Sequence, residues 1–415
     1  MATRRQRFRD AMARLQAAGS PSDAIERGFY IARPGGSAVS VISGRLELVP
    51  TASFLLIGGI GSGKTTELLM TAKTLNELDD TRAFYVDVSA IHDIKNMPAG
   101  TLTVVAGLEL AKHISDFSAD PDAEAARDEL VKIARGYHIH HDDIDPNPND
   151  DDFEMEDPDV FYVAGAIQRP ETEARRLSAH VRERSQWVAK LSAPLRRSRP
   201  HLVLLFDSLD RKNDLKDFKD IIYEDIEALQ RIGIGVVLTA PLGMMHGESR
   251  IMMQQYFQDR TYLQTAVDIQ DDPRALEFLT NIIHARAPHE MIPEDACRAL
   301  AKASGGVLRD MIALAHSALQ EAYAHGGDRV EVKHVERVAK AFGRNLMTGV
   351  SEREHRSLSR VLYENRFLDS PFGDSFLLAS QRIIVHSTAD GEMKYSVHPT
   401  IEEFIEPPRP GPKVV

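Results

Sequence analysis

The sequence has little cysteine and no long apolar run. A single cysteine, Cys297, stands among 415 residues, so an intramolecular disulfide and cysteine-based zinc sites are excluded. The longest stretch without a charged residue, 48–63, has 16 residues and is interrupted by Pro, Ser and Gly, whereas a membrane-spanning helix needs about 20 apolar residues. The Arg-rich N-terminus contains Asp10 and no run of serine, which favours an amphipathic helix over a transit peptide. We therefore predict a cytoplasmic protein that does not bind a membrane.

Positive charge is also in deficit: the chain has 50 Lys and Arg but 62 Asp and Glu, which gives a net charge of −12. This balance argues against a generally basic surface for nucleic acid. Ten of the acidic residues and no Lys or Arg fall within 142–159, so the rest of the chain carries only −2. The segment 169–199 that follows is basic, with nine Lys and Arg against three Glu. It is solvated, pairs with the acidic segment or contacts nucleic-acid phosphates.

Apolar runs separated by helical patterns predict an α/β fold. Continuous β-branched and aliphatic runs are typical of strands in a parallel sheet that is covered by helices on both faces. A helix is predicted from Lys64 to Leu78, directly after the first run. We therefore predict a three-layer core with a parallel sheet, whose five strands are 53–57, 83–88, 201–206, 233–239 and 262–267.

Four regions are predicted along the chain, which at 43% hydrophobic is long enough for two or three packed domains. A long insertion, about 92–199, separates the second and third strands of the core. In the last region a helix is followed by two strands, 382–386 and 393–397, with a turn at 389–392 between them, an order that suits a small winged-helix domain. The regions are an N-terminal helix with a Gly/Ser/Pro-spaced connector at 1–50, the core at 51–270, a helical lid at 271–345 and the winged-helix-like domain at 346–415.

The segment Gly58-Gly-Ile-Gly-Ser-Gly-Lys-Thr65 matches G-x-x-x-x-G-K-[ST] at every fixed position. It follows an apolar strand and opens a helix, which is the context that distinguishes a phosphate loop from a chance match. Glycines allow consecutive backbone N–H groups to curl around phosphate oxygens, and the helix N-terminus adds a partial positive charge. Lys64 can reach the β- and γ-phosphates, and the Thr65 hydroxyl can ligate Mg²⁺. The predicted nucleotide-binding residues are Gly58, Gly59, Gly61, Ser62, Gly63, Lys64, Thr65 and Thr66.

An acidic residue follows the third predicted strand. A phosphate loop needs a second acid on the Mg²⁺ side, at the end of a neighbouring strand, and Asp207 has this position. We predict that Asp207 and Thr65 hold the metal. Many ATPases of this class place Glu directly after that Asp to orient the attacking water, but here the next residue is Ser208. The nearest acid, Asp210, either positions the water, supports the metal ligands or pairs with Arg211.

Two further motifs resemble the AAA+ and STAND branches of P-loop ATPases, and the resemblance covers roughly residues 50–345. The tail Asp207-Ser-Leu-Asp-Arg211 is similar to the STAND and KAP groups. The stretch Ser304-Gly-Gly-Val-Leu-Arg-Asp310 is similar to the lid motif of AAA+ replication initiators. The resemblance implies that Arg309 contacts the γ-phosphate from the lid. The alternative is a surface arginine that pairs with Asp310 or a neighbouring Glu.

The resemblance also implies roles at two strand ends. Thr239, which ends the fourth predicted strand, matches a polar position that hydrogen-bonds the attacking water or the γ-phosphate. Arg260, just before the fifth strand, matches an arginine finger that reaches the ATP of an adjacent subunit, and Arg250 competes for this role. An ordinary strand-end threonine and ordinary surface arginines are the alternatives.

These residues predict an ATPase that binds Mg-ATP and hydrolyses it slowly, because the Glu after Asp207 is missing. Two functions are left open: a nucleotide-driven switch that assembles with itself or an effector partner, as in signalling or antiphage defence, and an initiator-like DNA-binding ATPase. The net charge and a wing with few cations, Arg382 and Lys394 being the nearest, favour the switch over nucleic-acid binding. A structural ATP site without turnover is a third alternative. The predicted catalytic residues are Lys64, Asp207, Asp210, Thr239, Arg309 and Arg260.

Overall fold

A computed structural model describes most of the chain and divides it into two compact units. The first unit comprises residues 1–41, 56–71 and 241–415, and the second comprises 42–55 and 72–240. The acidic segment, the start of the basic segment and most of the turn predicted at 389–392 lie outside the described residues. The described residues are 3–16, 20–135, 174–211, 215–270, 272–367, 375–387 and 392–407.

A five-stranded sheet has the order β2-β3-β4-β1-β5. Strand β1 is shared, because residues 53–55 belong to the second unit and 56–58 to the first. Strands β2, β3 and β4 pair in parallel, and every residue of β1 and β4 is buried, as expected for strands covered on both faces. The predicted α/β class with a parallel sheet is therefore confirmed. The strands are β1 (Ser53–Gly58), β2 (Thr81–Asp87), β3 (His201–Asp207), β4 (Ile234–Ala240) and β5 (Thr261–Gln264).

In the second unit, the described part of the insertion is helical. The helix Thr101–Lys112 has ten buried residues, since two other helices pack against it. Its start is capped by the fully buried Asp225, whose carboxylate accepts hydrogen bonds from the backbone N–H groups of Gly100 and Thr103, each at 2.7 Å. Asp225 lies in a π-helical turn, Ile222–Ile226. The helices are α5 (Thr101–Lys112), α6 (Pro121–Ala134), α7 (Ala174–Arg196), α8 (Leu215–Ile221) and α9 (Glu227–Arg231).

In the first unit, helices form most of the structure after β5. The N-terminal helix packs on the region predicted as a lid, because Phe8, Ala11 and Leu15 share one core with the helices of 273–324. Two antiparallel strands follow. The elements are α1 (Arg4–Gln16), α2 (Pro21–Glu26), α10 (Gly247–Phe257), α11 (Pro273–His284), α12 (Glu294–Ser304), α13 (Leu308–Ala324), α14 (Val332–Met347), α15 (Glu352–Glu364), α16 (Ser375–Ala379), β6 (Ile383–Ser387) and β7 (Met393–Val397).

The predicted connector is more regular than its composition indicates. It contains α2 and a further helix, α3 (Ala38–Leu48). Ala38, Ile42 and Leu46 recur at intervals of four and are each at most 1% exposed, but the glycines around and within this segment obscure the pattern in the sequence. The remaining helix, α4 (Lys64–Asn76), follows the loop that was predicted to bind phosphate. In the described part of the chain, no helix combines the length and the apolar character that crossing a bilayer requires.

Candidate functional site

The loop between β1 and α4 lies in the first unit and has the backbone of a phosphate loop. Strand β1 ends at Gly58 and α4 begins at Lys64. Gly61 and Gly63 have φ values of +80° and +96°, in the left-handed region that only glycine adopts at little cost. Gly61 and Gly63 are therefore required by the turn itself.

Close neighbours impose a second requirement on these glycines. A Cβ atom on Gly58 would lie 2.4 Å from the carbonyl oxygen of Gln264, and one on Gly61 would lie 2.7 Å from Cβ of Arg309. At Gly59 the nearest atom would be a side-chain carbon of Leu242, at 3.4 Å, which is close to ordinary contact. Gly58 is thus required by the close approach of a backbone atom and Gly61 by that of the Arg309 side chain, whereas Gly59 has room.

The Lys64 ammonium crosses the loop. Its Nζ donates hydrogen bonds to the carbonyl oxygens of Gly58, at 2.9 Å, and Gly59, at 2.8 Å, and the residue is 5% exposed. Ser62 Oγ is buried and has no hydrogen-bond partner among the described residues. A buried hydroxyl without an acceptor is costly, and a phosphate oxygen would satisfy it. Thr65 and Thr66 stand in the first turn of α4, both half-buried.

Three residues from other parts of the first unit bond to the outside of the loop. The backbone N–H of Arg309 donates to the carbonyl oxygen of Gly61 at 3.2 Å, and Gln264 Nε2 donates to that of Ser62 at 2.8 Å. Gln381, between α16 and β6, donates through Nε2 to the carbonyl oxygen of Ile60. All three contacts use loop carbonyl groups, and within the loop the backbone N–H of Ser62 donates to the carbonyl oxygen of Gly59 at 3.2 Å.

The Arg309 side chain is exposed and forms no ion pair with the described residues. The alternative of a pair with Asp310 is wrong, because Asp310 turns inward and its Oδ2 lies 3.4 Å from Nε2 of the fully buried His398. A cation at the start of α13, beside Gly61, is therefore available to a ligand.

Arg260 is engaged within the first unit. Its Nε and Nη2 atoms donate to the carbonyl oxygens of Phe257 and Tyr256, at 3.1 and 3.0 Å. These contacts satisfy carbonyl groups at the C-terminal end of α10, as basic side chains commonly do. Arg250 is exposed on the same helix.

Glu67 on α4 forms hydrogen bonds with the predicted connector. It was not among the residues predicted for the site. Glu67, 6% exposed, accepts hydrogen bonds from the backbone N–H of Val39 at 3.2 Å and from the Tyr30 hydroxyl at 3.3 Å. Burial raises the pKa of Glu67, and it raises the pKa of Tyr30 to about 12, with Glu67 contributing. No motif marks Glu67; its place four residues before the buried Thr71 on α4 is the only signal.

In the second unit, Asp207 ends β3 with its carboxylate held from two sides. Its Oδ1 accepts from the backbone N–H of Ser208 at 2.7 Å, and its Oδ2 accepts from the Tyr85 hydroxyl at 2.9 Å; the residue is 2% exposed. Burial, followed by the charges of Asp207 and Asp87, raises the pKa of Tyr85. Tyr85 therefore stays protonated and orients Asp207 as a donor.

Asp87 forms a cluster with two serines next to Asp207. Ser208 has φ of +71°, in the left-handed region, and its Oγ donates to Asp87 Oδ1 at 2.8 Å. The same oxygen accepts from the backbone N–H of Ser89 at 3.0 Å and from its Oγ at 2.6 Å. Asp87 has no signal of its own in the sequence, because only the pairing of β2 with β3 brings it to Asp207.

Thr239 and Asp210 have different surroundings in the second unit. Thr239 is fully buried and its Oγ1 accepts a hydrogen bond from the backbone N–H of Leu209 at 3.0 Å. It therefore fixes the chain directly after Asp207 and keeps a hydroxyl proton for another acceptor. Asp210 is half-buried on the single turn Leu209–Arg211.

The side chains predicted to hold magnesium have suitable donors. Each Asp207 oxygen accepts one hydrogen bond from the described residues and so retains a lone pair. The Thr65 hydroxyl forms no hydrogen bond with them. Hard oxygen donors of this kind suit Mg²⁺, which usually keeps several waters. Among the described residues, no group of three or more His, Cys, Asp or Glu side chains is arranged for a metal ion.

Comparison with known proteins gives distant likenesses in structure. No protein-family model and no curated protein matches the chain. Solved structures that it is similar to include Cdc6p from Pyrobaculum aerophilum, with 12% identity and a TM-score of 0.43, covering 91% of this chain and 97% of that one. The Orc1 protein of Aeropyrum pernix in complex with DNA has 14% identity and a TM-score of 0.41, with coverage of 88% and 90%. The RuvB Holliday junction branch migration motor of Thermotoga maritima has 12% and 0.41, with coverage of 90% and 93%. Likeness at this distance carries no argument about function.

Proposed function

We propose that this protein is an AAA+/STAND-like P-loop ATPase that binds Mg-ATP, hydrolyses it slowly and works as a nucleotide-driven switch. The observation that carries the proposal is the loop at 58–63. Gly61 and Gly63 give the loop the left-handed turn that a phosphate cradle needs, the buried Lys64 ammonium spans this turn, and the buried Ser62 hydroxyl has no hydrogen-bond partner among the described residues. A turn that served only to connect a strand to a helix would not need a buried cation across it.

The proposal assigns roles to the predicted residues. Lys64 and Arg309 neutralise the γ-phosphate, and Thr65 and Asp207 hold Mg²⁺. When bound, the metal neutralises charge that develops on the β- and γ-phosphate oxygens. Thr239, whose hydroxyl keeps its proton, hydrogen-bonds the γ-phosphate or the water. The cradle consists of Gly58, Gly59, Gly61, Ser62, Gly63, Lys64, Thr65 and Thr66.

The switch proposal is supported by what touches the loop. Arg309 belongs to the predicted lid, 271–345, and Gln381 to the predicted winged-helix domain, 346–415, and both bond to loop carbonyl groups. A γ-phosphate that binds both the loop and Arg309 would stabilise one arrangement of these segments over others. Loss of the γ-phosphate on hydrolysis would then allow the other arrangements. The output would be assembly with a second copy or with an effector protein.

Removal of the Lys64 ammonium tests the proposal. We expect Lys64→Ala to weaken ATP binding at least 100-fold, because the only charge within the loop is lost. The measurement is a titration with a fluorescent ATP analogue and Mg²⁺, and Lys73→Ala, an exposed lysine on the same helix, is the matched control. Equal affinity in Lys64→Ala and the control would reject nucleotide binding at this loop.

A second candidate is an initiator-like DNA-binding ATPase, favoured by the β6–β7 hairpin that follows α15 and α16, as in a winged helix. The cations near this hairpin have protein partners, however. Arg382 donates to the carbonyl oxygens of Leu346 and Thr348 at 2.8 and 3.2 Å, and Lys394 reaches Gln270 at 3.5 Å. We therefore rank it second. A salt titration of duplex-DNA binding distinguishes the two: a slope of several ions supports DNA binding, and no binding above ~50 mM salt removes it.

A further inference from the structure

Asp87 ends β2 directly opposite Asp207. The two residues are partners in the parallel register of β2 and β3, and such partners extend to the same face of a sheet, on strands about 4.8 Å apart. Tyr85, two residues earlier on that face, reaches Asp207 with its hydroxyl. A second carboxylate therefore stands beside the carboxylate that is proposed to hold the metal.

The two serines hold Asp87 in one orientation. Its Oδ1 accepts all three hydrogen bonds, from the backbone N–H and hydroxyl of Ser89 and from the hydroxyl of Ser208. Its Oδ2 accepts none from the described residues, and the side chain is partly exposed. One oxygen is thus fixed and the other is presented to a ligand or a water molecule.

Ser208 stands where many ATPases of this class have the glutamate that orients water. A residue other than glycine in the left-handed region is strained by about 1 kcal/mol or more, and it keeps this backbone only where its surroundings require it. Here the unusual backbone at Ser208, φ +71°, accompanies the contact of its hydroxyl with Asp87. The serine at the glutamate position is therefore tied to a carboxylate on the neighbouring strand.

We propose that Asp87 is the catalytic carboxylate that orients and deprotonates the attacking water, in place of the missing glutamate, and that Ser208 and Ser89 position it. This inference rests on the proposed ATPase function. Asp87 Oδ2 accepts a proton from the water as its oxygen bonds to the γ-phosphorus. The bond between that phosphorus and the bridging oxygen breaks, ADP leaves with the electron pair, and Asp87 then releases the proton to solvent.

Asp87 is better placed for this role than Asp210. Asp210 lies on the turn that follows Asp207, outside the strand pairing. Asp87 is in register with Asp207 and is bonded to the residue that replaces the glutamate. The two acids thus make opposite predictions for one experiment.

The test compares Asp87→Asn with Asp210→Asn in the full chain. Asparagine keeps an oxygen for the serines but cannot accept the proton. We expect kcat of Asp87→Asn to fall about 100-fold or more, while ATP affinity and melting temperature stay close to those of the wild type. Asp87→Glu should recover part of kcat, which a merely structural role would not explain. Asp210→Asn should lower kcat less than Asp87→Asn does, and the control Asp128→Asn, at an exposed acid on α6 of the same unit, should stay within about threefold of the wild type.

Several outcomes would overturn the inference. Turnover by Asp87→Asn within about threefold of the wild type would reject it, as would a wild type that binds Mg-ATP without hydrolysis. A wild-type protein that does not bind ATP would instead reject the proposed function. If Asp87→Asn melts early, Ser208→Ala replaces it, because this variant keeps the charge and loses one positioning bond. An unchanged kcat in Ser208→Ala would then count against Asp87.

Discussion

The predicted phosphate loop, 58–63, and the strand-end cluster of Tyr85, Asp87, Asp207 and Ser208 are built in different ways. In the loop, the carbonyl groups of Gly58 and Gly59 hold the Lys64 ammonium, and Gly61 and Gly63 give the backbone its turn. In the cluster, side chains hold each other: Tyr85 holds Asp207, and Ser208 holds Asp87. The loop is therefore sensitive to added atoms, and the cluster to the loss of charge or of a donor.

This difference leads to a first prediction, the largest in effect, on the cluster. Asp207→Asn should keep the shape and the Tyr85 contact but lose charge toward the metal. We expect Mg-dependent turnover to fall by 100-fold to 1,000-fold, in the range found when one charge-stabilising group is removed, with nucleotide affinity largely kept. Steady-state hydrolysis at several Mg²⁺ concentrations measures this. Wild-type rates in the variant would remove Asp207 from the metal.

The second prediction concerns added atoms in the loop. Gly58→Ala would place a methyl group 2.4 Å from the carbonyl oxygen of Gln264, whereas Gly59→Ala would meet only Leu242, at 3.4 Å. Because backbone must move in the first case, we expect a loss of about 2–3 kcal/mol in unfolding free energy for Gly58→Ala and less than about 1 kcal/mol for Gly59→Ala. Urea denaturation of both variants gives the comparison. Equal losses would show that the close approach at Gly58 is absent in solution.

The loop could be predicted from the sequence because its determinants are local. Eight consecutive residues contain the glycines, the lysine and the hydroxyls, and the preceding apolar run identifies the strand. The same holds for Asp207, which follows its own strand directly. Buried parallel strands are continuous apolar runs, so the α/β class could also be predicted. The predicted and observed strand ends differ by at most three residues.

The cluster could not be predicted in the same way, because its partners are distant in sequence. Asp87 and Ser208 are 121 residues apart and meet only through the register of β2 and β3. Helix α3 was missed for another reason: glycines mask its apolar spacing. No motif marks Glu67, and its partners Tyr30 and Val39 come from the predicted connector, about 30 residues earlier in the sequence. Register and packing across long separations are what single-sequence patterns lack.

A third prediction compares two arginines of the first unit, one available and one engaged. Arg309→Ala should reduce turnover about tenfold or more, because a cation that reaches the γ-phosphate is lost. Arg260→Ala should leave monomer turnover unchanged and lower the free energy of unfolding by about 1 kcal/mol, because two carbonyl groups at the end of α10 lose their donor. Hydrolysis and thermal melting of both variants measure this.

The proposed role of Arg260 as a finger in trans requires more. Its variant would then lose turnover only at protein concentrations where ATP causes assembly. Light scattering with and without ATP identifies those concentrations. A protein that stays monomeric with ATP throughout would end the finger hypothesis and leave the contacts at the end of α10 as the role of Arg260.

The smallest effect concerns a buried acid with no assigned role in the loop or the cluster, Asp225, which caps α5. Burial raises its pKa from 3.8 to about 6 despite the hydrogen bonds from Thr103 and Gly100. Between about pH 4 and 6 the folded chain therefore holds a proton that the unfolded chain has released, so rising pH favours unfolding. The contribution of Asp225 to the free energy of unfolding should fall by about 1 kcal/mol between pH 5 and 7.

Asp225→Asn removes this titration and leaves the other acids in place. As the pH rises from 5 to 7, the melting temperature of the wild type should then fall relative to that of Asp225→Asn. Glu67→Gln is the comparison from the first unit, since burial also raises the pKa of Glu67 and the sign is the same. If the wild-type profile and the Asp225→Asn profile stay parallel over this range, Asp225 is ionised at pH 5 and its three hydrogen bonds outweigh burial.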